Sequence, residues 1–346
     1  MSNKHTANSL KQLQSLPLEA KIAMTKRRIR EWYEYWDGMV YVSFSGGKDS
    51  TVLKHIVDSM YDDVPAVFVN TGLEYPEIQR FAMSQYNVVT VRPEMRFDEV
   101  LKNFGYPVIS KEMALYIRQV QNPTDKNKVT QRLRLEGINS RGQKVKKGKI
   151  SDKWVYLKDA PFNISEQCCD VMKKKPAKQY SKQTGRKPII GTMASESRLR
   201  FQKWKEQGCN AFENKEPSSQ PLSFWTEQDI LHYLKKYNVP YCSVYGDIVP
   251  TSREEIIDGQ LTIFDALDEY EGTLLRTTGC NRTGCIFCMF GAHLEADPNR
   301  FQMLQQTHPR QYEYCIGGGE MIDGKWQPTQ DGLGLSKVLD YIGVKY

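Results

Sequence analysis

No stretch of this 346-residue chain approaches the roughly 20 consecutive apolar residues of a membrane helix, and the mean hydropathy is −0.58. A helical membrane protein is thereby excluded. Residues 1–16 are polar and lack the basic-then-apolar order of a secretory signal, so a cytoplasmic location is expected. Cysteine is sparse: eight in 346 is too few for a disulfide-stapled secreted scaffold. No internal repeat is present. With 40% hydrophobic and 26% charged residues, the composition is neither collagenous nor disordered. At roughly 150 residues per domain, the length fits two domains or one large α/β domain with appendages.

What charge there is lies unevenly. The net charge is +7, from 48 basic and 41 acidic residues. Residues 111–159 hold thirteen Lys/Arg against five Asp/Glu, a balance of +8, so the rest of the chain is close to neutral. A localised basic surface points to a polyanionic partner, nucleic acid above all, although a solvated basic face has the same composition.

The apolar pattern reads as an α/β protein. Residues 18–36 have the spacing of an amphipathic helix, and residues 39–44 form a short apolar run suited to a buried parallel strand. A Gly-Gly turn leads into a helix over residues 49–61. A second strand (66–70), a helix opened by Pro76 and a third strand (87–91) complete a βαβαβ unit, hence a doubly wound parallel sheet. Residues 123–153 lack apolar periodicity and predict an exposed basic insertion or hairpin. A strand is expected again at 188–191, then helices from Ser195 and Thr226, and a last one from Ser336. The organisation expected is a helical segment at 1–37, a nucleotide-binding domain at 38–265 carrying the basic insertion at about 111–160, and a Cys-rich region at 266–346.

Between the first strand and its helix stands Ser43-Phe-Ser45-Gly46-Gly47-Lys48-Asp49-Ser50-Thr51. Two glycines let the backbone turn sharply beside an anion, and free N–H groups at a helix start hold phosphate oxygens. Lys48 adds a point charge, and Ser45 and Ser50 add hydroxyls. The Walker A spacing is absent. The segment instead resembles the pyrophosphatase loop (PP-loop) of the adenine-nucleotide α-hydrolase superfamily. Three further segments resemble the phosphoadenosine phosphosulfate (PAPS) reductase family in colinear order. Asn70-Thr71-Gly72-Leu-Glu74 through Glu77 has Asn where that family has Asp. Gly191 to Arg200 keeps Glu196, Ser197 and Arg200, with Met193 in place of the first Arg. Pro221 to Ile230 keeps Trp225 and Asp229. The resemblance implies that Ser43, Ser45, Gly46, Gly47, Lys48, Asp49, Ser50, Thr71, Gly72, Glu74 and Glu196 contact an adenine nucleotide. Arg200 would neutralise phosphate or sulfate, which guanidinium binds bidentately. Glu196 also suits a helix cap or an ion pair, and Trp225 suits the core.

Cys168-Cys169 with Lys173 and Pro176, and the distant Cys285-Ile-Phe-Cys288, form a four-thiol set that could bind zinc or a four-iron cluster. Adjacent cysteines suit separate irons of a cubane better than one tetrahedral ion. The pattern resembles the [4Fe–4S] site of adenylyl-sulfate (APS) reductases, with Lys173 and Pro176 at matching offsets. Lys173 would then place a cation between the cluster and an anionic substrate. Cys280 is a substitute ligand, and Cys209 and Cys242 read as plain buried thiols.

The resemblance implies an iron–sulfur enzyme that reductively cleaves APS or PAPS to sulfite, with a thioredoxin-like electron donor. The family's C-terminal Glu-Cys-Gly-x-His motif is missing. Cys315, in Glu-Tyr-Cys-Ile-Gly, is the nearest candidate nucleophile, with only His308 nearby as a base. The alternative is ATP-dependent sulfur transfer to nucleic acid, of the DNA phosphorothioation or tRNA thiolation type, with Mg²⁺ accompanying ATP and residues 111–159 tracking phosphates. APS, PAPS and ATP all remain open as substrates, as does the oligomeric state.

Overall fold

The computed structural model describes residues 5–251 and 272–346. The chain divides into two compact units, and the boundary expected at 265/266 lies outside the described residues.

The first unit comprises Met1–Asn70, Glu74–Arg92 and Pro176–Thr283. Two helices lead into it, α1 (Ala7–Gln14) and α2 (Leu18–Tyr35). Its strands are β1 (Val40–Phe44), β2 (Ala66–Val69) and β3 (Val88–Val91). After β4 (Val108–Ile109), which belongs to the second unit, come β5 (Lys187–Ile190), β6 (Asn210–Ala211) and β7 (Ser218–Ser219). The sheet order is β3-β2-β1-β5-β7-β6, every neighbouring pair parallel except β6 with β7. Val40, Tyr41, Val42 and Phe44 are all buried, as the apolar run of a doubly covered central strand requires. The crossovers β1–β2 and β2–β3 are the helices α3 (Lys48–Asp58) and α4 (Pro76–Ser84). Pro76 takes the first helical position, where its missing N–H costs nothing.

The core packs Ile29 and Trp32 of α2, Val52 and Ile56 of α3, and Trp225 and Ile230 around β1 and β5. Trp225 is fully buried, as expected, and its indole N–H donates to Thr25 Oγ1 at 2.9 Å. Thr226 caps helix Glu227–Lys236, accepting from the Asp229 N–H, and Asp229 forms a buried ion pair with Lys21 at 2.8 Å. The helix expected from Ser195 starts later. A 3₁₀ turn (Ala194–Glu196) comes first, and Ser197 then caps helix Arg198–Gln207. A small antiparallel pair, β8 (Ile248–Pro250) with β9 (Leu275–Thr277), completes the unit.

The second unit comprises Thr71–Leu73, Pro93–Lys175 and Gly284–Tyr346. Its own core includes Val100, Ile117, Leu157, Phe162, Phe301 and Leu339. β10 (Met289–Phe290) pairs in parallel with β4, joining the chain after Cys288 to the chain before Lys111. The basic segment is more ordered than its sequence predicts. Helix Lys128–Glu136 occupies part of it, stopped by Gly137 in the left-handed conformation, and only then does the expected hairpin follow, with Ile138 bridged to Lys144. Among the described residues, no helix is long and apolar enough to cross a membrane.

Candidate nucleotide and thiol sites

In the first unit the strand order runs outward from β1 in both directions, so a switch point lies between β1 and β5. Open α/β sheets hold ligands at such a point, beyond the carboxyl ends of the strands. Ser43 stands in β1, in register with Val67 of β2 and Ile190 of β5. The loop Ser45–Ser50 leaves the end of β1, and the Gly191–Ser197 stretch leaves the end of β5. These two segments touch. A Cβ on Gly191 would lie 3.1 Å from the Asp49 carbonyl oxygen, so any side chain there would crowd the loop. Gly46 is left-handed (φ +73°), and its turn is closed by the Ser45 N–H donating to Ser50 Oγ at 3.1 Å. The Ser45 and Ser50 hydroxyls lie 3.0 Å apart.

Lys48 begins α3 but does not project into solvent. It is 4% exposed, with Nζ donating to the Asn281 carbonyl at 2.7 Å and paired to Glu227 at 3.0 Å. Burial works to lower its pKa, but Asp49 and Glu227 outweigh that and hold it above the ordinary lysine value. Its backbone N–H, one of the free donors of the helix start, donates to Tyr245 Oη at 3.2 Å; that hydroxyl is 2.6 Å from Thr283 Oγ1. Asp49 has one carboxylate oxygen shut from solvent with no hydrogen-bond partner. Burial raises its pKa, Glu196 and Glu227 add to the effect, and Lys48 and Arg282 oppose it. Glu196 accepts from the Met193 N–H at 2.7 Å and pairs with Arg200 and with Arg282. Both expectations for Glu196, cap and ion pair, are met. Arg200 is half exposed and held by that carboxylate. Sequence reasoning gave Glu227, Tyr245 and the Asn281–Thr283 stretch no role at this site. Only Glu227 carried a signal, as a first-turn acid behind Thr226.

Of the second segment, Asn70 ends the β2 turn in the first unit, its N–H donating to the Val91 carbonyl at 2.9 Å. Thr71 and Gly72 belong to the second unit. There Thr71 Oγ1 accepts from the Leu73 N–H at 3.1 Å, and the Leu73 carbonyl accepts from the Ile286 N–H at 2.8 Å. This ties the stretch before Glu74 to the Cys285–Cys288 loop.

None of the eight cysteines is in a disulfide. Cys168, Cys169, Cys285 and Cys288 all fall in the second unit. Cys168 and Cys169 place their sulfurs 3.9 Å apart, at the entry to a π-helical turn (Asp170–Lys174), an irregularity common at functional sites. Of the pair, Cys169 has its pKa lowered and Cys168 has its pKa raised. The Cys168 thiol donates to Cys169 and lowers the Cys169 pKa, with Lys111 and Lys173 adding their charge against the cost of burial. The same bond, burial and the nearby Cys288 and Cys285 raise Cys168. Burial raises Cys288, against the pull of Arg300, which donates to the Cys288 carbonyl at 2.9 Å. Lys111 follows β4, which pairs with β10 and is preceded by a bridge from Tyr106 to Ile164, and so reaches Cys169. Its role was hidden in the basic segment. Among the described residues, no three Cys, His, Asp or Glu side chains converge tightly enough for a single metal ion. Cys285 and Cys288 nevertheless lie close enough to act on Cys168, and the cations Lys111, Lys173 and Arg300 act on Cys169 and Cys288, so the donors are thiols beside cations. That chemistry suits a cluster with several irons better than one tetrahedral ion.

Cys280 belongs to the first unit, where burial raises its thiol and Tyr75 hydrogen-bonds it. Cys315 lies in helix Pro309–Ile316 with no exposed surface, and burial alone raises its pKa. In that setting the thiol is protonated and packs as a small apolar side chain.

The family model of the phosphoadenosine phosphosulfate reductase domain matches residues 39–134 and 99–289, most of the chain. The chain belongs to this family. As a PAPS reductase family member it is 24% identical, over 277 residues, to an adenosine 5′-phosphosulfate reductase of Staphylococcus haemolyticus. That match covers 78% of this chain and 87% of the relative. An uncharacterized protein of Methanocaldococcus jannaschii is 33% identical over 86 residues, and the match spans only 21% of that protein's length. Among solved structures, the chain is similar to a PAPS reductase of Candida auris in complex with phosphate. The two share 13% identity at a TM-score of 0.37, covering 70% of this chain and 92% of that one. It is also similar to a U34-tRNA thiolase of Methanococcus maripaludis with its [4Fe–4S] cluster, at 18% identity and a TM-score of 0.31, covering 64% and 66%.

Proposed function

We propose that this PAPS reductase family protein is an iron–sulfur enzyme that reductively cleaves a sulfonucleotide, APS or PAPS, to sulfite. The observation that carries the reading is the four-thiol group with its cations, in a chain whose phosphate loop stands at the sheet's switch point. Cys168, Cys169, Cys285 and Cys288 would hold a [4Fe–4S] cluster, and Lys111, Lys173 and Arg300 offset the thiolate charge. Such a cluster, when bound, supplies one-electron redox chemistry and a concentrated negative charge.

The loop's own residues do the binding. The N–H groups at the start of α3 donate to a phosphate once Tyr245 yields its place at the Lys48 N–H. Lys48 then exchanges Glu227 and the Asn281 carbonyl for phosphate oxygens, and Arg200 supplies a second cation. One thiol of a thioredoxin-like dithiol donor displaces AMP, or the bisphosphate, from the sulfate sulfur, giving a thiosulfonate. The donor's second thiol then attacks the first sulfur, closes the donor disulfide and releases sulfite, so the donor's two thiols supply the two electrons.

A second reading is ATP-dependent sulfur transfer to nucleic acid, with Mg²⁺ accompanying ATP. One observation favours it: Cys315 is buried, and transfer requires no C-terminal thiol. Anaerobically purified protein given APS, PAPS or Mg²⁺–ATP separates the two. Sulfite released from APS or PAPS supports reduction. Pyrophosphate and AMP formed from ATP only when nucleic acid is added support transfer. Turnover of none of the three nucleotides defeats both.

A further inference from the structure

The excess of positive charge within residues 111–159 is gathered at one place in the second unit. Helices Lys111–Gln121 and Lys128–Glu136 and the loop 144–152 enclose a groove whose loop side carries Lys144, Lys146, Lys147 and Lys149. The loop is fixed. Arg134 lies over the Tyr116 ring at 3.7 Å, and donates to Gln119 Oε1 at 2.8 Å and to the Gly148 carbonyl at 2.7 Å. The Val145 N–H donates to the Gly137 carbonyl at 2.6 Å, and the buried Ile150 donates its N–H to the Arg134 carbonyl at 2.8 Å. The lysines are therefore presented from a pinned turn, with less ordering needed on binding than a free loop would require.

The charge balance inside the groove is one-sided. Its three acids are engaged: Glu136 pairs with Arg132, Asp152 with Lys149 at 2.6 Å, and Glu112 accepts from the Tyr116 hydroxyl at 2.5 Å. Lys144, Lys146 and Lys147 are exposed and make no ion pair among the described residues. A protein-binding surface would offer apolar or aromatic anchors and few lysines. Here the one ring in the groove, Tyr116, is buried beneath Arg134 and offers no face on which an unpaired base could stack. Duplex RNA is recognised by its A-form shape and by 2′-hydroxyl as well as phosphate contacts, whereas the exposed groups here are three ammonium donors, which suit phosphate oxygens and supply no acceptor for a 2′-hydroxyl.

We infer that this groove is a docking surface for the phosphodiester backbone of double-stranded DNA, holding it without regard to sequence. The inference stands whether the nucleotide chemistry is reduction or transfer.

The test measures binding of the full chain to a fluorescein-labelled random-sequence DNA duplex of about 25 base pairs, and to single-stranded DNA and duplex RNA of the same length, by anisotropy across a salt series. The variants are Lys144→Glu/Lys146→Glu/Lys147→Glu and a control of equal net charge, Lys182→Glu/Lys215→Glu/Lys235→Glu, both checked for wild-type melting. Wild type and control should bind with a steep salt slope. The groove variant should lose at least about tenfold in affinity, its slope of log K against log salt flattening by about 2.7, which is 0.9 for each of three lost phosphate contacts. Absence of salt-dependent duplex binding by the wild type overturns the inference. So does equal loss in both variants, or a preference for single-stranded DNA or duplex RNA. Because no sulfur chemistry is read out, failure here and failure of the proposed reaction are separate results.

Discussion

The phosphate loop makes opposite predictions for two residues in contact. Lys48 is buried against Glu227 at 3.0 Å and the Asn281 carbonyl at 2.7 Å, so the nucleotide-free protein already satisfies the cation that a phosphate needs. Replacing it (Lys48→Ala) should weaken adenine-nucleotide binding by about 1.5–3 kcal/mol, the scale of a charged hydrogen bond, or roughly 10- to 150-fold. It should also destabilise the fold. Removing one partner of a fully buried pair costs about 3–5 kcal/mol. Glu227 is 30% exposed, so solvent relieves part of that, and about 2 kcal/mol is expected. Glu227→Gln should act the other way on affinity. It frees Lys48, so nucleotide should bind severalfold tighter. Lys48→Ala/Glu227→Gln should bind like Lys48→Ala alone, since Glu227 opposes binding only by holding Lys48. Calorimetric titration with AMP and ATP, alongside thermal melts, gives both halves of this cycle. Weakening by Glu227→Gln comparable to that of Lys48→Ala, in a folded protein, would refute the view that Glu227 competes with phosphate.

Anaerobically prepared protein should be brown and carry about four irons, and Ser at Cys168, Cys169, Cys285 or Cys288 should abolish this. Cys209→Ser and Cys280→Ser should leave the iron content unchanged, and stoichiometric zinc without iron would contradict the assignment. Asp49 titrates above its ordinary value of 3.8 because it is buried, so the folded state binds its proton more tightly than the unfolded chain. Stability from this group is therefore fully present below 3.8 and is lost as pH rises through the folded value. Asp49→Asn should raise the melting temperature at pH 7.5 and flatten the fall between pH 4 and 7.5; no change at pH 7.5 would show that the orphaned carboxylate is stabilised by groups other than those named. Cys315→Ala should leave sulfite formation intact while lowering the melting temperature, and native Cys315 should resist alkylation by iodoacetamide. Loss of turnover in a folded Cys315→Ala protein would restore it as the nucleophile.

What the sequence determined by itself is local or periodic. The apolar run of β1, the Gly-Gly turn and the start of α3 are contiguous, so their order alone implies a strand, an anion-binding turn and a helix. The same holds for Thr226 ahead of its helix and for the spacing of the two cysteine pairs. Residues 128–136 defeated periodicity because their helix is held by polar contacts, Arg134 to Tyr116, Gln119 and Gly148, instead of by an apolar stripe. Tertiary structure alone decided which distant groups act on each site. Glu227, Tyr245 and Asn281 reach Lys48 across 179 to 233 positions of chain, and no local pattern encodes such a meeting. Lys111 became a partner of Cys169 only through tertiary pairing: Tyr106 bridges to Ile164 shortly before Cys168, and β4 pairs with β10 just after Cys288. Burial was decided there too: Cys315 looked like a candidate nucleophile in the sequence, and the packing around helix Pro309–Ile316 shuts its sulfur from solvent and keeps its proton on.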